Sequence, residues 1–175
     1  MELKKHSQDL ALLHRLGGVS LNIASNHHLE NLSEFVLHDV CSEDLFRVVK
    51  AAYLVKNPDF ACMKGVAGYS NQENFIQGHT WQNQKDFTSH MRNSLFNQKV
   101  RQINETNIPS KIDLLDKKRL HKLSDHLEIE RPEFHLWKMK YDNQGILIFE
   151  KEDQNDLLFQ HLPHFISMLS FCPVF

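Results

Sequence analysis

The 175-residue chain predicts a single α+β domain over residues 1–175. In it, a small, mostly antiparallel sheet with a C-terminal β-hairpin followed by a helix is packed with five to six helices. Three observations carry that expectation. The stretch from Phe134 to Phe171 reads strand, turn, strand, helix. Upstream, apolar residues recur three and four apart in several segments, the spacing of a helix with one buried stripe. Apolar residues make up 41% of the chain, enough for one ordinary core.

In chain order, Ser7 to Leu16 reads as a helix capped by Ser7 and closed by Gly17 in the left-handed conformation. Val19, Leu21 and Ile23 alternate with polar residues and predict a short strand over 19–24. Asn31 with Glu34 resembles a capping box for a helix bearing Leu32, Phe35, Val36 and Val40. The most regular helical pattern runs from Ser42 to Lys56, with Leu45, Val48, Val49, Ala52 and Val55 inward. Asn57-Pro58 stops it, because proline disfavours helix in the residue before it.

Residues 59–82 fit no period. Three of the six glycines (Gly65, Gly68 and Gly78) fall there and point to irregular backbone or close packing. Phe87, Met91, Leu95, Phe96, Val100 and Ile103 predict one helix, broken by Asn107-Ile-Pro109. Ser110 starts another through about Leu127, with Ile112, Leu115, Leu120, Leu123 and Leu127 inward. Phe134–Tyr141 and Ile146–Phe149 form the hairpin, closed at Gly145 by its freedom at positive φ. The run Ile146-Leu-Ile-Phe149, apolar on both faces, belongs at the centre of the sheet. Leu158, Leu162, Phe165, Ile166 and Leu169 share one side of a closing helix. Pro163 breaks or kinks it, or sits in its first turn.

Composition narrows the partners. The net charge is −2, split as −2, +3 and −3 over residues 1–60, 61–131 and 132–175, with no polybasic or acidic tail. Cys41, Cys62 and Cys172 are odd in number and show no C-x-x-C, which argues for a reducing, cytoplasmic setting. The N-terminus lacks a signal-peptide core, and no window approaches the ~20 apolar residues of a membrane span. The apolar run Phe165–Phe175 suits core or a homodimer interface.

Candidate chemistry concentrates in residues 59–92. Cys62, Lys64, Tyr69, His79, Trp81, His90 and Arg92 stand there among glycines as candidate ligand-binding residues, with Ser89 nearby. A Cys62 thiolate activated by His79 or His90 is one enzymatic reading, though Phe-Ala-Cys-Met-Lys carries no local signature. A metal held by some of the twelve histidines is another. His121 with Asp125, and His161 with His164, each supply two groups where a site needs three or four. His38 and Cys41 stand near a helix C-terminus, where the dipole disfavours a thiolate. Lys99, Arg101, Lys117, Lys118, Arg119, His121 and Lys122 form the basic 99–122 region, diluted by Asp113, Asp116 and Asp125. Nucleic-acid binders usually carry a larger positive excess. Gly65-Val-Ala-Gly68 has the spacing of a G-x-x-G loop, but no phosphate-loop or dinucleotide fingerprint is present.

Trp137-Lys-Met-Lys-Tyr-Asp-Asn-Gln-Gly-Ile-Leu-Ile-Phe-Glu150, followed by Leu157–Leu169, is similar in layout to a known arrangement. It resembles the closing hairpin and helix of GAF-like and acyl-homoserine-lactone-receptor sensor domains. The resemblance covers roughly the last 40 residues. It implies a layout and no binding residue.

Three function classes follow. The first is a non-catalytic sensory or regulatory domain, binding a small molecule or protein partner between the sheet and residues 59–92. The second is a small enzyme using Cys62, His79 and His90 or a histidine-bound metal. The third is a nucleic-acid binder using residues 99–122. No cofactor is implied by any motif. For the fold, replacing Ile148 by Ala is expected to cost ~2–4 kcal/mol through lost burial and a cavity. Urea unfolding measures it, and a loss under ~1 kcal/mol means that Ile148 is not core.

Overall fold

A computed structural model describes residues 2–42, 46–73, 80–108, 117–152 and 157–174. Among these it forms α1 (Glu2–Ser25), α2 (Leu32–Val40), β1 (Val48–Asn57), β2 (Cys62–Ser70), α3 (Gln84–Asn93) and α4 (Leu95–Arg101). There follow β3 (Asn104–Thr106), α5 (Lys117–His126), β4 (Glu133–Lys138), β5 (Gln144–Lys151) and α6 (Leu162–Ile166). The five strands make one antiparallel sheet in the order β3-β2-β1-β5-β4. The α+β class stands.

Both faces of the sheet are covered. On one face, Ala51, Tyr53 and Val55 of β1, Ala67 and Tyr69 of β2 and Leu147 and Phe149 of β5 pack against α1, α2, α3 and α6. On the other, Ala52, Leu54, Met63, Ile146 and Ile148 pack against Phe96 and Val100 of α4 and Leu120 and Leu123 of α5.

That two-sided burial overturns the helix expected over Ser42–Lys56. A strand buried on both faces is apolar at nearly every position, so a helical stripe can be read through it. Its Val48, Val49, Tyr53 and Val55 suit a pleated surface. It is this strand, β1, that lies at the centre; Ile146–Phe149 is fully buried but lies one place away, between β1 and β4. Leu45 lies outside the described residues.

The strand expected over 19–24 is instead the last turns of α1. Val19 and Ile23 are four apart and face the core, while Leu21 is 69% exposed. Gly17 ends nothing, because no glycine among the described residues has positive φ. Gly145 likewise does not close the hairpin turn. Tyr141 and Asp142 take the left-handed backbone there (φ 57° and 55°). Gly145 lies in β5 opposite Trp137, where an added Cβ would stand 2.2 Å from the indole. The space it leaves lets Trp137 stack on Tyr53 at 5.6 Å between ring centres.

The predicted helix over 87–103 is two helices. Ser94 is extended (φ −61°, ψ 119°) and its hydroxyl caps α4 by accepting from Asn97 N at 2.9 Å. Leu95, expected inward, is 76% exposed. Ser110, Ile112 and Leu115 of the next predicted helix lie outside the described residues. After β5, a 3₁₀ turn (Leu157–His161), the short α6 with Pro163 in its first turn, and a second 3₁₀ turn (Ser167–Phe171) replace one continuous helix.

Residues 62–70, expected to be irregular, are β2, and their glycines serve close packing. The β1–β2 register slips between Tyr53 and Leu54, which leaves Val66 as an extra residue. Gly65 and Gly68 are three apart and would lie on opposite faces of a regular strand; the bulge puts both under α4. An added Cβ would stand 1.8 Å from Val100 O at Gly65 and 2.6 Å from Val100 Cγ2 at Gly68. Gly65→Ala is therefore expected to cost ~3 kcal/mol or more, because backbone must move, and Gly68→Ala less, because a side chain can yield. Gly17→Ala, with open space around it in mid-helix, is expected to gain ~0.5–1 kcal/mol. Denaturant midpoints of the three variants test that order.

Candidate functional site

The seven candidate residues do not meet in one place. Cys62 and Lys64 stand at the start of β2, beside an apolar depression of about 470 Å³ shared with Val55, Phe60, Asn143 and Val174. Tyr69 is buried at the other end of the same strand, roughly 20–25 Å away by strand rise. Trp81 and His90 belong to that far end. Arg92 projects from α3 into a separate cleft. His79 lies outside the described residues. The geometry therefore does not bring Cys62 to His90.

The far end is a buried polar cluster. His38 Nδ1 lies 3.4 Å from Asp39 Oδ1, and His38 Nε2 lies 3.3 Å from Thr80 Oγ1. Trp81 Nε1 donates to Asp39 Oδ2 at 2.9 Å. The His38 ring meets Tyr69 and Phe87 edge-on at 5.2 and 5.4 Å. Burial pushes the Tyr69 hydroxyl well above its usual range, with smaller pushes from Cys41, Glu73 and Asp39. Burial holds the His90 imidazole below its usual range; Glu73 opposes that and His38 adds to it. Burial also raises the Cys41 thiol and takes the Cys172 thiol up to about 12, Ser33 pulling the latter slightly back. Neither is a ready nucleophile at neutral pH.

The larger feature is a polar cleft of about 490 Å³ between α2, α3 and α4, lined by Glu30, Asn31, Glu34, Thr88, Arg92 and Arg101 among others. A neighbouring depression of about 290 Å³ shares Glu30, Asn31, Glu34 and Arg101 with it. Its floor is Glu34, whose side chain is only 4% exposed. Oε1 accepts from Asn97 Nδ2 at 2.7 Å and from Arg101 at 3.1 Å, and Oε2 accepts from Asn31 Nδ2 at 2.9 Å. A carboxylate can be buried here because its lone pairs are taken by donors, one of them charged. Asn97 continues the chain: its Oδ1 accepts from Gly68 N at 2.9 Å and its Nδ2 also donates to Met91 O. Hydrogen bonds thus run from a half-exposed guanidinium to the backbone of β2.

Sequence reasoning saw Glu34 only as half of a capping box. Asn31 makes no capping bond through its side chain; its amide goes to the Glu34 carboxylate and to Thr88 Oγ1. Asn97 carried no signal except its place three residues after the helix-start serine, Ser94. Lys99, Arg101 and Arg119 of the basic region are paired with Glu128, Glu34 and Glu105 at 2.7, 3.1 and 3.3 Å. Among the described residues no three His, Cys, Asp or Glu side chains converge as a metal site would need. No described helix is long and apolar enough to cross a membrane.

No family model, curated protein or solved structure matches this chain.

The His90 environment has a measurable consequence. Its folded pKa lies below the unfolded value of about 6.5, so as pH falls through that value the unfolded state takes up a proton that the folded state resists. That part of the stability is full above about pH 6.5 and declines toward pH 5. His90→Gln is expected to make the decline shallower, read as urea midpoints across that range. An unchanged slope means that burial of His90 is not felt.

Proposed function

We infer that the chain is a non-catalytic sensory or regulatory domain that binds a small charged molecule in the cleft between α2, α3 and α4. The observation that carries this reading is the connected floor, Arg101–Glu34–Asn97–Gly68 N. An occupant that takes Arg101 from Glu34 leaves a buried carboxylate short of its one charged donor among the described residues. That imbalance is costly and reaches α4 and β2 directly. Above the floor, Arg92 and Glu30 offer a guanidinium and a carboxylate to solvent. Such a lining suits a small zwitterion or anion, the anionic group on the arginines.

Three free thiols suit a cytoplasmic setting. Of the seven candidate ligand-binding residues of 59–92, the site uses only Arg92. Pairing through the C-terminus has less to offer than its apolar sequence suggests. Leu162, Phe165, Ile166, Leu169 and Cys172 are buried in the core, which among the described residues leaves Phe171 and Val174 as the exposed large apolar side chains.

Calorimetric titration with free amino acids, dicarboxylates and nucleoside monophosphates tests the reading. At least one is expected to bind, and Arg101→Ala and Arg92→Ala are each expected to weaken it about tenfold or more. A ligand that binds equally well to both variants, or a panel in which nothing binds, removes this cleft as the site.

A further inference from the structure

The two edges of the sheet are treated differently. Beside β2, the short β3 pairs only with Cys62–Lys64. Beyond it, Gly65 N donates to Ile103 O at 3.0 Å and Gly68 N to Asn97 Oδ1 at 2.9 Å. That edge is sealed. At the other edge β4 is the last strand.

The phase of β4 follows from one bond. Met139 N donates to Asn143 O at 2.9 Å, in register with Lys138 opposite Gln144. Antiparallel residues alternate between bonding to the partner strand and facing away. Glu133, His135 and Trp137 therefore bond into β5, and Phe134, Leu136 and Lys138 turn their N–H and C=O outward. Among the described residues these outward groups have no partner. The strand carries no proline and no register slip, and Leu136 is 37% exposed. Long-lived open edges of this kind are usually blunted.

We propose that β4 pairs antiparallel with β4 of a second copy, about a dyad at Leu136, to make one continuous ten-stranded sheet. This goes beyond the ligand cleft and does not rest on it. With Leu136 opposite Leu136 of the partner subunit, Phe134 meets the partner's Lys138, and His135 meets the partner's Trp137. Every outward rung then falls opposite another outward rung, and each such pair exchanges two hydrogen bonds.

The charges favour a copy of the same strand over a foreign one. Glu130 stands exposed before β4, and Lys138 and Lys140 stand exposed at its end and just after it. None of the three has an ion-pair partner among the described residues. The dyad brings Glu130 diagonally beside the partner's Lys140, and does so at both ends. Diagonal pairs of long side chains are within reach. A six-residue edge is a small interface, so the expected affinity is micromolar.

Sedimentation equilibrium of the full chain tests this. The wild type is expected to dimerise with a micromolar dissociation constant. Leu136→Pro removes one outward N–H without touching the β5 ladder and is expected to weaken association about tenfold or more. Should that variant fail to fold, Leu136→Lys, which sets like charges on the dyad, takes its place. Lys140→Glu is expected to weaken the dimer and Glu130→Lys on that background to restore it, a rescue that a merely structural effect would not give. Phe171→Glu, on the C-terminal surface, is expected to change nothing. A wild type that stays monomeric at all accessible concentrations overturns the proposal. So does a dimer that survives both Leu136 substitutions, or one that is lost only with Phe171→Glu.

Discussion

The close seat of α4 on β2 is the contact on which most of the remaining structure depends. A helix lies so near a strand that Val100 O occupies the place where a side chain at Gly65 would begin. Only glycine permits that approach, and only the bulge at Val66 presents Gly65 and Gly68 on the same face. Once seated, α4 does three things. It buries Phe96 and Val100 over the sheet, it seals the edge of β2, and it carries Asn97 to Glu34.

The polar cleft is a consequence of that seat rather than a separate feature. Glu34 comes from α2 on one side of the sheet, and Asn97 and Arg101 from α4, whose apolar side covers the other. They meet around the sealed edge, where neither hydrophobic core reaches. A buried carboxylate at such a meeting point fixes how the two layers sit, because moving either leaves donors or acceptors unmatched. A ligand that competes for Arg101 would act on that fixture, and through Asn97 on β2.

The elements most legible in the sequence were helices whose apolar residues keep a helical spacing, whether all of the helix is buried, as in α2, or one side of it, as in α5. Leu32, Phe35, Val36 and Val40 mark α2, and all four are fully buried as their spacing implies. Leu120 and Leu123 mark α5 in the same way. The pattern failed where a strand was buried on both faces and where a helix buried few residues. β1 is covered on both faces, so its apolar residues follow no period and a helix could be drawn through them. The end of α1 packs only Val19 and Ile23, and with Leu21 exposed between them the segment imitates a strand. The candidate site was less legible still. Its floor is made by Glu34 of α2 and by Asn97 and Arg101 of α4, 63 and 67 residues further along the chain, and carries no motif, while the described candidates grouped by proximity in 59–92 are spread over β2, the turn at Trp81 and α3.

By itself the sequence determined the α+β class and the helices whose apolar residues keep a helical spacing. These are local quantities, set by composition and by period. Only the tertiary structure decided that Val48–Asn57 is the central strand, that Gly65 and Gly68 are spaces for a helix rather than loop residues, and that Glu34 is the floor of a cleft. Each of those depends on what lies across the sheet or beside it. A single chain in order does not record its neighbours in space.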